Sequence, residues 1–204
     1  MLKKEIKVCG MKNPIQILEL HGIDYIGLIF VKESPRNAFE VSPSELSGSF
    51  SRVGVFKDAE TDLVLSKAIE FDLNIIQLHG NESPEKCNFF REQGYLVWKA
   101  FPISDAEDLN AIQDYTGKID RVLLDTKSKL GGGTGKSFDW EILEKYIYDI
   151  PFMLAGGISI HDTPRLKAMN HPYLIGFDIN SRFEISPGVK DTNLINQFVE
   201  LINE

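Results

Sequence analysis

One unit recurs eight times along the chain, and that recurrence limits the possible folds more than any single residue does. Short apolar runs rich in β-branched residues stand at EIKVC (5–9), DYIGLIF (24–30), SRVGVF (51–56), NIIQLH (74–79), YLVWKAF (95–101), DRVLLD (120–125), PFMLAG (151–156) and YLIGFDI (173–179). Each leads into loop residues and then, in most cases, into apolar residues at helical spacing. Ile15 and Leu18 precede His21-Gly22. Leu63, Val64, Ala68 and Phe71 mark a third helix, Ile142, Leu143, Tyr146 and Ile147 a sixth, and Leu194, Ile195, Phe198, Val199 and Leu201 the last. Asn13-Pro14, Ser42-Pro43 and Ser83-Pro84 each place a capping residue before a proline suited to a first turn. The stretch 36–50 is poor in helix signals, and 104–117 is ambiguous. The runs are continuously apolar, as expected where both faces of a parallel sheet are covered. Eight units of about 25 residues predict an α/β fold, one compact (β/α)8 TIM barrel over 1–204. A doubly wound open sheet is the alternative, but it normally needs fewer strands.

Composition narrows the function. The formal net charge of -8 argues against nucleic-acid binding, which needs clustered basic residues. The apolar runs fall far short of the roughly 20 residues of a membrane span, and no signal-peptide pattern follows the basic start MLKKEIKV. Cys9 and Cys87 are too few for a disulfide framework, so a reducing cytoplasm is expected. A chain of this charge can hold an anion only through local donors, against its own average field.

In a (β/α)8 barrel the chemistry sits at the carboxyl ends of the strands and in the loops just after them. Strand one ends in Cys9-Gly10. Such a cysteine is either a buried small hydrophobe or a thiolate base at the barrel mouth. Strand six ends in Asp125, which either caps its loop or is a desolvated carboxyl able to donate a proton. Arg36 carries a fork of donors suited to carboxylate or phosphate, unless solvent simply covers it. His79 is a substrate contact or a satisfied core group. His21, His161 and His171 read as surface or capping residues, and Cys87 as inert. Ala155-Gly156-Gly157 after strand seven, and Asp178, Asn180 and Ser181 around the end of strand eight, occupy the usual phosphate-binding loops, where main-chain N–H groups bind an anion without formal positive charge. Gly131 to Ser137 imitates a nucleotide-binding P-loop, but that motif needs glycine at the position held by Leu130. A glycine-rich lid explains this stretch better.

Taken together, Lys7 to Gly10, Ser34-Pro35-Arg36, Gln77 to Gly80, Leu124-Asp125 with Gly132, Gly135 and Phe138 to Trp140, Leu154 to Gly157, and Asp178 to Ser181 with Glu184 resemble the phosphoribosylanthranilate isomerase family over almost the whole length. The resemblance implies a ribulose-phosphate-binding barrel that performs an Amadori rearrangement in tryptophan biosynthesis. It implies Cys9 as general base, Asp125 as general acid, Arg36 near the reacting centre, His79 as a positioning contact, and phosphate held at Gly156, Gly157 and Ser181 with Asp178 beside them. The family reaction is redox-neutral, so the resemblance implies no cofactor or metal. It implies a small phosphosugar as the partner, with no nucleic acid or membrane, and a monomer or homodimer. Two departures stand out: Arg182-Phe183 where many members have glycine and a small aliphatic residue, and Lys12-Asn13-Pro14 after the first motif. Indole-glycerol-phosphate synthase would call for lysine and glutamate at strand ends, and the histidine-pathway aminoaldose isomerase for an aspartate where Cys9 stands. A non-catalytic, ligand-sensing barrel would be expected to have lost Cys9 or Asp125.

Overall fold

In the computed structural model, which describes residues 3–126 and 140–204, the eight apolar runs become eight parallel strands: β1 (Glu5–Cys9), β2 (Tyr25–Ile29), β3 (Ser51–Phe56), β4 (Ile75–Leu78), β5 (Leu96–Ile103), β6 (Arg121–Thr126), β7 (Phe152–Leu154) and β8 (Leu174–Ile179). Each pairs with the next, and β1 pairs with β8, Lys7 opposite Asp178. The ring is closed, which rules out the open doubly wound sheet. A bulge between Phe152 and Met153 adjusts the β7–β8 register.

Alternation along the strands separates two apolar layers. Cys9, Ile29, Val53, Val55, Ile75, Trp98, Ala100, Leu123 and Met153 fill the barrel. Their neighbours, such as Ile6, Val8, Ile26, Leu28, Val97 and Phe101, face the helices and join the larger outer core. Each such side chain, fully buried, contributes roughly 1.5–3 kcal/mol.

The helices are α1 (Pro14–Leu18), α2 (Thr61–Glu70), α3 (Pro84–Glu92), α4 (Thr163–Ala168) and α5 (Thr192–Asn203). Two of the three proline-linked caps form. Asn13 accepts from the Ile15 N–H and Ser83 from the Lys86 N–H, whereas Ser42 makes no side-chain cap to its short 3-10 turn, Pro43–Glu45. In α1 the expected face is turned out: Ile15 and Leu18 are exposed, and Ile17 and Leu20 are buried instead. The ambiguous stretch is a 3-10 helix, Ala106–Tyr115, opened by a capping box between Asp105 and Asp108. The sixth helix is also 3-10, Trp140–Lys145. Both have one cause, since Leu109, Ile112 and Tyr115, and likewise Trp140, Leu143 and Tyr146, recur every third residue, the period of a 3-10 turn. Ile147, expected on the buried face, is 79% exposed. A hairpin of β9 (Glu184–Ser186) and β10 (Val189–Lys190) follows β8.

Candidate active site

Because every barrel strand runs the same way, Cys9, His79 and Asp125 share one rim. Inside the barrel the polar side chains form tiers along the axis. At the amino end, Arg121 bonds Glu5 and the Tyr25 hydroxyl. One tier up, Lys7 Nζ donates to Asp178 Oδ2 at 2.8 Å, both side chains buried. At the carboxyl end stands Cys9, two residues beyond Lys7 and therefore on the same face of β1. Gly27 makes room for this pair. A Cβ there would stand 2.9 Å from Cys9 Sγ and 3.1 Å from Lys7 Nζ.

Across the rim, Gln77 Nε2 donates to His79 Nδ1 at 3.0 Å. That leaves the imidazole proton on Nε2, 3.2 Å from Asp125 Oδ2. Burial pushes the Asp178 carboxyl above its ordinary value; Lys7 opposes the rise and Asp125 adds to it. Burial likewise pushes the Cys9 thiol up, with Lys7 and Lys190 pulling down and Asp178 pushing further up. Burial therefore favours the thiol form of Cys9. Asp178 lies within electrostatic reach of both Cys9 and Asp125.

Arg36 sits in the loop after β2, in a turn where Ser34 Oγ accepts its main-chain N–H. Its guanidinium grips Glu184 with both Nε and Nη2, at 2.9 and 2.7 Å. Glu184 also accepts from Lys190 Nζ at 2.8 Å and from the Gly188 N–H at 3.0 Å, and Lys190 donates to Asn180 Oδ1 at 2.7 Å. One carboxylate thus ties the second loop to the hairpin after β8.

Gly156 and Gly157 follow β7 with φ of 81° and 72°, a backbone that L side chains rarely adopt. Ser181 opens the 3-10 turn Ser181–Phe183 and is exposed. Asp178, grouped from sequence with these phosphate loops, points into the barrel and accepts from Lys7. The two departures have structural explanations. Phe183 is buried against Phe198, ring centroids 5.1 Å apart, while exposed Arg182 lines an outer groove of about 1110 Å³ with Lys167 and Leu201, away from Cys9 and Asp125. Asn13 caps α1, and Lys12 Nζ reaches Pro35 O. The residues Gly131 to Ser137, read as a lid, lie outside the described residues, as do Phe138 and Asp139.

Of the other readings, Cys87 is fully buried and pushed up to about 12 by burial. His21 and His161 are exposed, and His171 packs its ring against Phe152. Lys7, Gln77, Glu184 and Lys190 carry the site's polar network yet were given no role from sequence. For Lys7 and Gln77 a signal existed: each lies two residues before a rim residue, on the same inward face.

Groups that give and take protons, gathered where (β/α)8 enzymes keep their chemistry, make this a barrel of the acid–base enzyme class. The family model described as N-(5'phosphoribosyl)anthranilate (PRA) isomerase matches residues 6–201. The chain belongs to that family. It is 41% identical over 205 residues to the N-(5'-phosphoribosyl)anthranilate isomerase of Parabacteroides distasonis, covering 97% of this chain and 92% of that one. Among solved structures, phosphoribosyl anthranilate isomerase from Thermotoga maritima matches with a TM-score of 0.82 at 30% identity over 98% of both chains. A phosphoribosyl anthranilate isomerase in complex with reduced 1-(o-carboxyphenylamino)-1-deoxyribulose 5-phosphate matches with a TM-score of 0.78 at 28% identity, again over 98% of both.

Proposed function

We propose that this barrel, acting as one catalytic domain over 1–204, converts N-(5-phosphoribosyl)anthranilate into 1-(2-carboxyphenylamino)-1-deoxyribulose 5-phosphate, a step of tryptophan biosynthesis. The observation that carries this reading is that Cys9, at the end of β1, and Asp125, near the end of β6, stand at the same end of one closed parallel barrel. Asp125 protonates the furanose ring oxygen, and the ring opens to a Schiff base. Cys9 then removes the C2′ proton, giving an enolamine that tautomerises to the ketone. In the working pair Asp125 carries the proton and Cys9 is the thiolate; after the two transfers that proton is on the former ring oxygen and the C2′ proton is on Cys9.

Arg36, its plane fixed by Glu184, engages the substrate near the reacting centre, and His79 positions it. Main-chain N–H groups at Gly156, Gly157 and Ser181 hold the phosphate; Asp178 stands beside them in sequence and accepts from Lys7. The rearrangement is internally redox-neutral, so it calls for no metal, nicotinamide or flavin. The enzyme works in the cytoplasm as a monomer or homodimer, with a phosphosugar substrate and neither nucleic acid nor membrane as partner. Its net charge of -8 and two free cysteines suit this setting, and no helix among the described residues is long and apolar enough to cross a membrane. The test is a coupled fluorescence assay with freshly made phosphoribosylanthranilate. Loss of the anthranilate signal is expected; folded protein that leaves the signal unchanged refutes the assignment.

A further inference from the structure

We propose that Lys7 is a positioning residue for Cys9: clamped inside the barrel by Asp178, its ammonium stands beside the Cys9 sulfur and lets that sulfur carry the negative charge a base needs. The inference rests on the assignment of Cys9 as base. Its geometry is independent of that assignment. Lys7 has no exposed surface, its Nζ is 2.8 Å from Asp178 Oδ2, and Lys7 Nζ and Cys9 Sγ both abut the spot where Gly27 lacks a Cβ. A lysine inside a barrel core costs desolvation, and an ion pair with Asp178 alone is a weak reason to keep it there. A sulfur that must ionise next to it is a stronger one.

Of the other charges around Cys9, Lys190 pulls the same way but less than Lys7. Lys190, from β10, is already bonded to Glu184 and Asn180, and Glu184 is gripped again by Arg36. His79, just after β4, and Asp125, on β6, reach Cys9's surroundings through Asp178. Gly27 on β2 brings no charge. Lys7 is the foremost of the groups pulling the thiol down against its burial, and Asp178 pushes the other way. Burial would discharge Lys7 itself, but Asp178 and Cys9 outweigh that and keep it an ammonium.

The two partners therefore act on Cys9 with opposite signs, whereas an ion pair out of reach of the sulfur would leave its titration unmoved. The ultraviolet thiolate absorbance of Cys9 is followed against pH in a Cys87→Ala background, with Cys9→Ser in that background as blank. Lys7→Met is expected to raise the titration midpoint by about one pH unit or more. It should also lower kcat about ten-fold or more near neutrality, with KM little changed. Asp178→Asn is expected to lower the midpoint. Should Lys7→Met alone fail to fold, the Lys7→Met/Asp178→Asn pair, which removes both buried charges, must titrate above Asp178→Asn alone. An unchanged or lowered midpoint on loss of Lys7 overturns the proposal. The titration needs no substrate, so a wild-type protein inactive on phosphoribosylanthranilate would reject the isomerase assignment and leave the Lys7 result standing.

Discussion

Gly156 lies flush against Asp125: a Cβ on this glycine would stand 2.5 Å from Asp125 Oδ1 and 2.3 Å from the main-chain nitrogen of Thr126. The nitrogen belongs to a barrel strand and cannot step aside, and φ at Gly156 is 81°. Gly156→Ala should therefore cost about 1–3 kcal/mol of stability and displace the acid. Urea denaturation and kcat measure the two effects; a variant as stable and as fast as wild type contradicts the contact.

Cys9→Ser and Asp125→Asn should each keep substrate binding and lose about 10²-fold or more in kcat, the scale of a positioned acid or base. Steady-state kinetics decide the matter. Near-wild-type turnover in either variant removes that residue from its role.

Arg36→Ala should raise KM and lower kcat together, since it removes both a substrate contact and the partner of Glu184. Glu184→Gln should do the same to a smaller degree by loosening the guanidinium. The pair also predicts a pH effect on stability. Burial would raise the Glu184 carboxyl, but hydrogen bonds from Arg36 and Lys190 win and hold it below the ordinary value of 4.5. A folded value below the unfolded one means the stabilisation is complete above 4.5 and fades as pH falls through the folded value. Melting temperatures measured down an acid series should show this loss in wild type, and a shallower one in Glu184→Gln. Parallel curves would refute it.

Lys99 and Glu82 form another buried pair, Nζ to Oε2 at 3.4 Å, outside the barrel interior. Glu82 accepts the main-chain N–H groups of Asp58 and Gly80, and Lys99 donates to Gly80 O at 2.8 Å, so the pair fastens the turn that follows His79. Lys99→Met leaves a buried carboxylate without its cation and should cost about 3–5 kcal/mol. Lys99→Met/Glu82→Gln should cost less, because the amide oxygen still accepts the two N–H groups. Urea titration of both variants tests this, and equal losses would show that the charge of Glu82 is immaterial.

The strands were readable because apolar runs buried on both sides have little else to be; β1 and β3 match their expected limits residue for residue. Helical segments were less legible. A three-residue recurrence such as Leu109, Ile112 and Tyr115 sits close enough to 3.6 that pattern alone cannot separate a 3-10 turn from an α-helix. At the site, Cys9, His79 and Asp125 were visible because each ends an apolar run. Lys7 was hidden by neighbouring charges at Lys3, Lys4 and Glu5, which made it look like part of a solvated start. Glu184 was quoted only as part of a motif, because a three-residue strand is too short to show any alternation. Asp178 lies in sequence beside the loop after β8, while its side chain alternates inward to Lys7, a partner that pattern alone does not reveal.

The ion pair between Lys7 and Asp178 links the first strand to the last, in register across the β1–β8 seam. A ribosome delivers β1 long before β8, so the sulfur and its neighbouring ammonium wait in the interval without Asp178. Chemical competence then arrives together with closure of the ring, and an unfinished chain carries the base without the counter-charge that completes its setting.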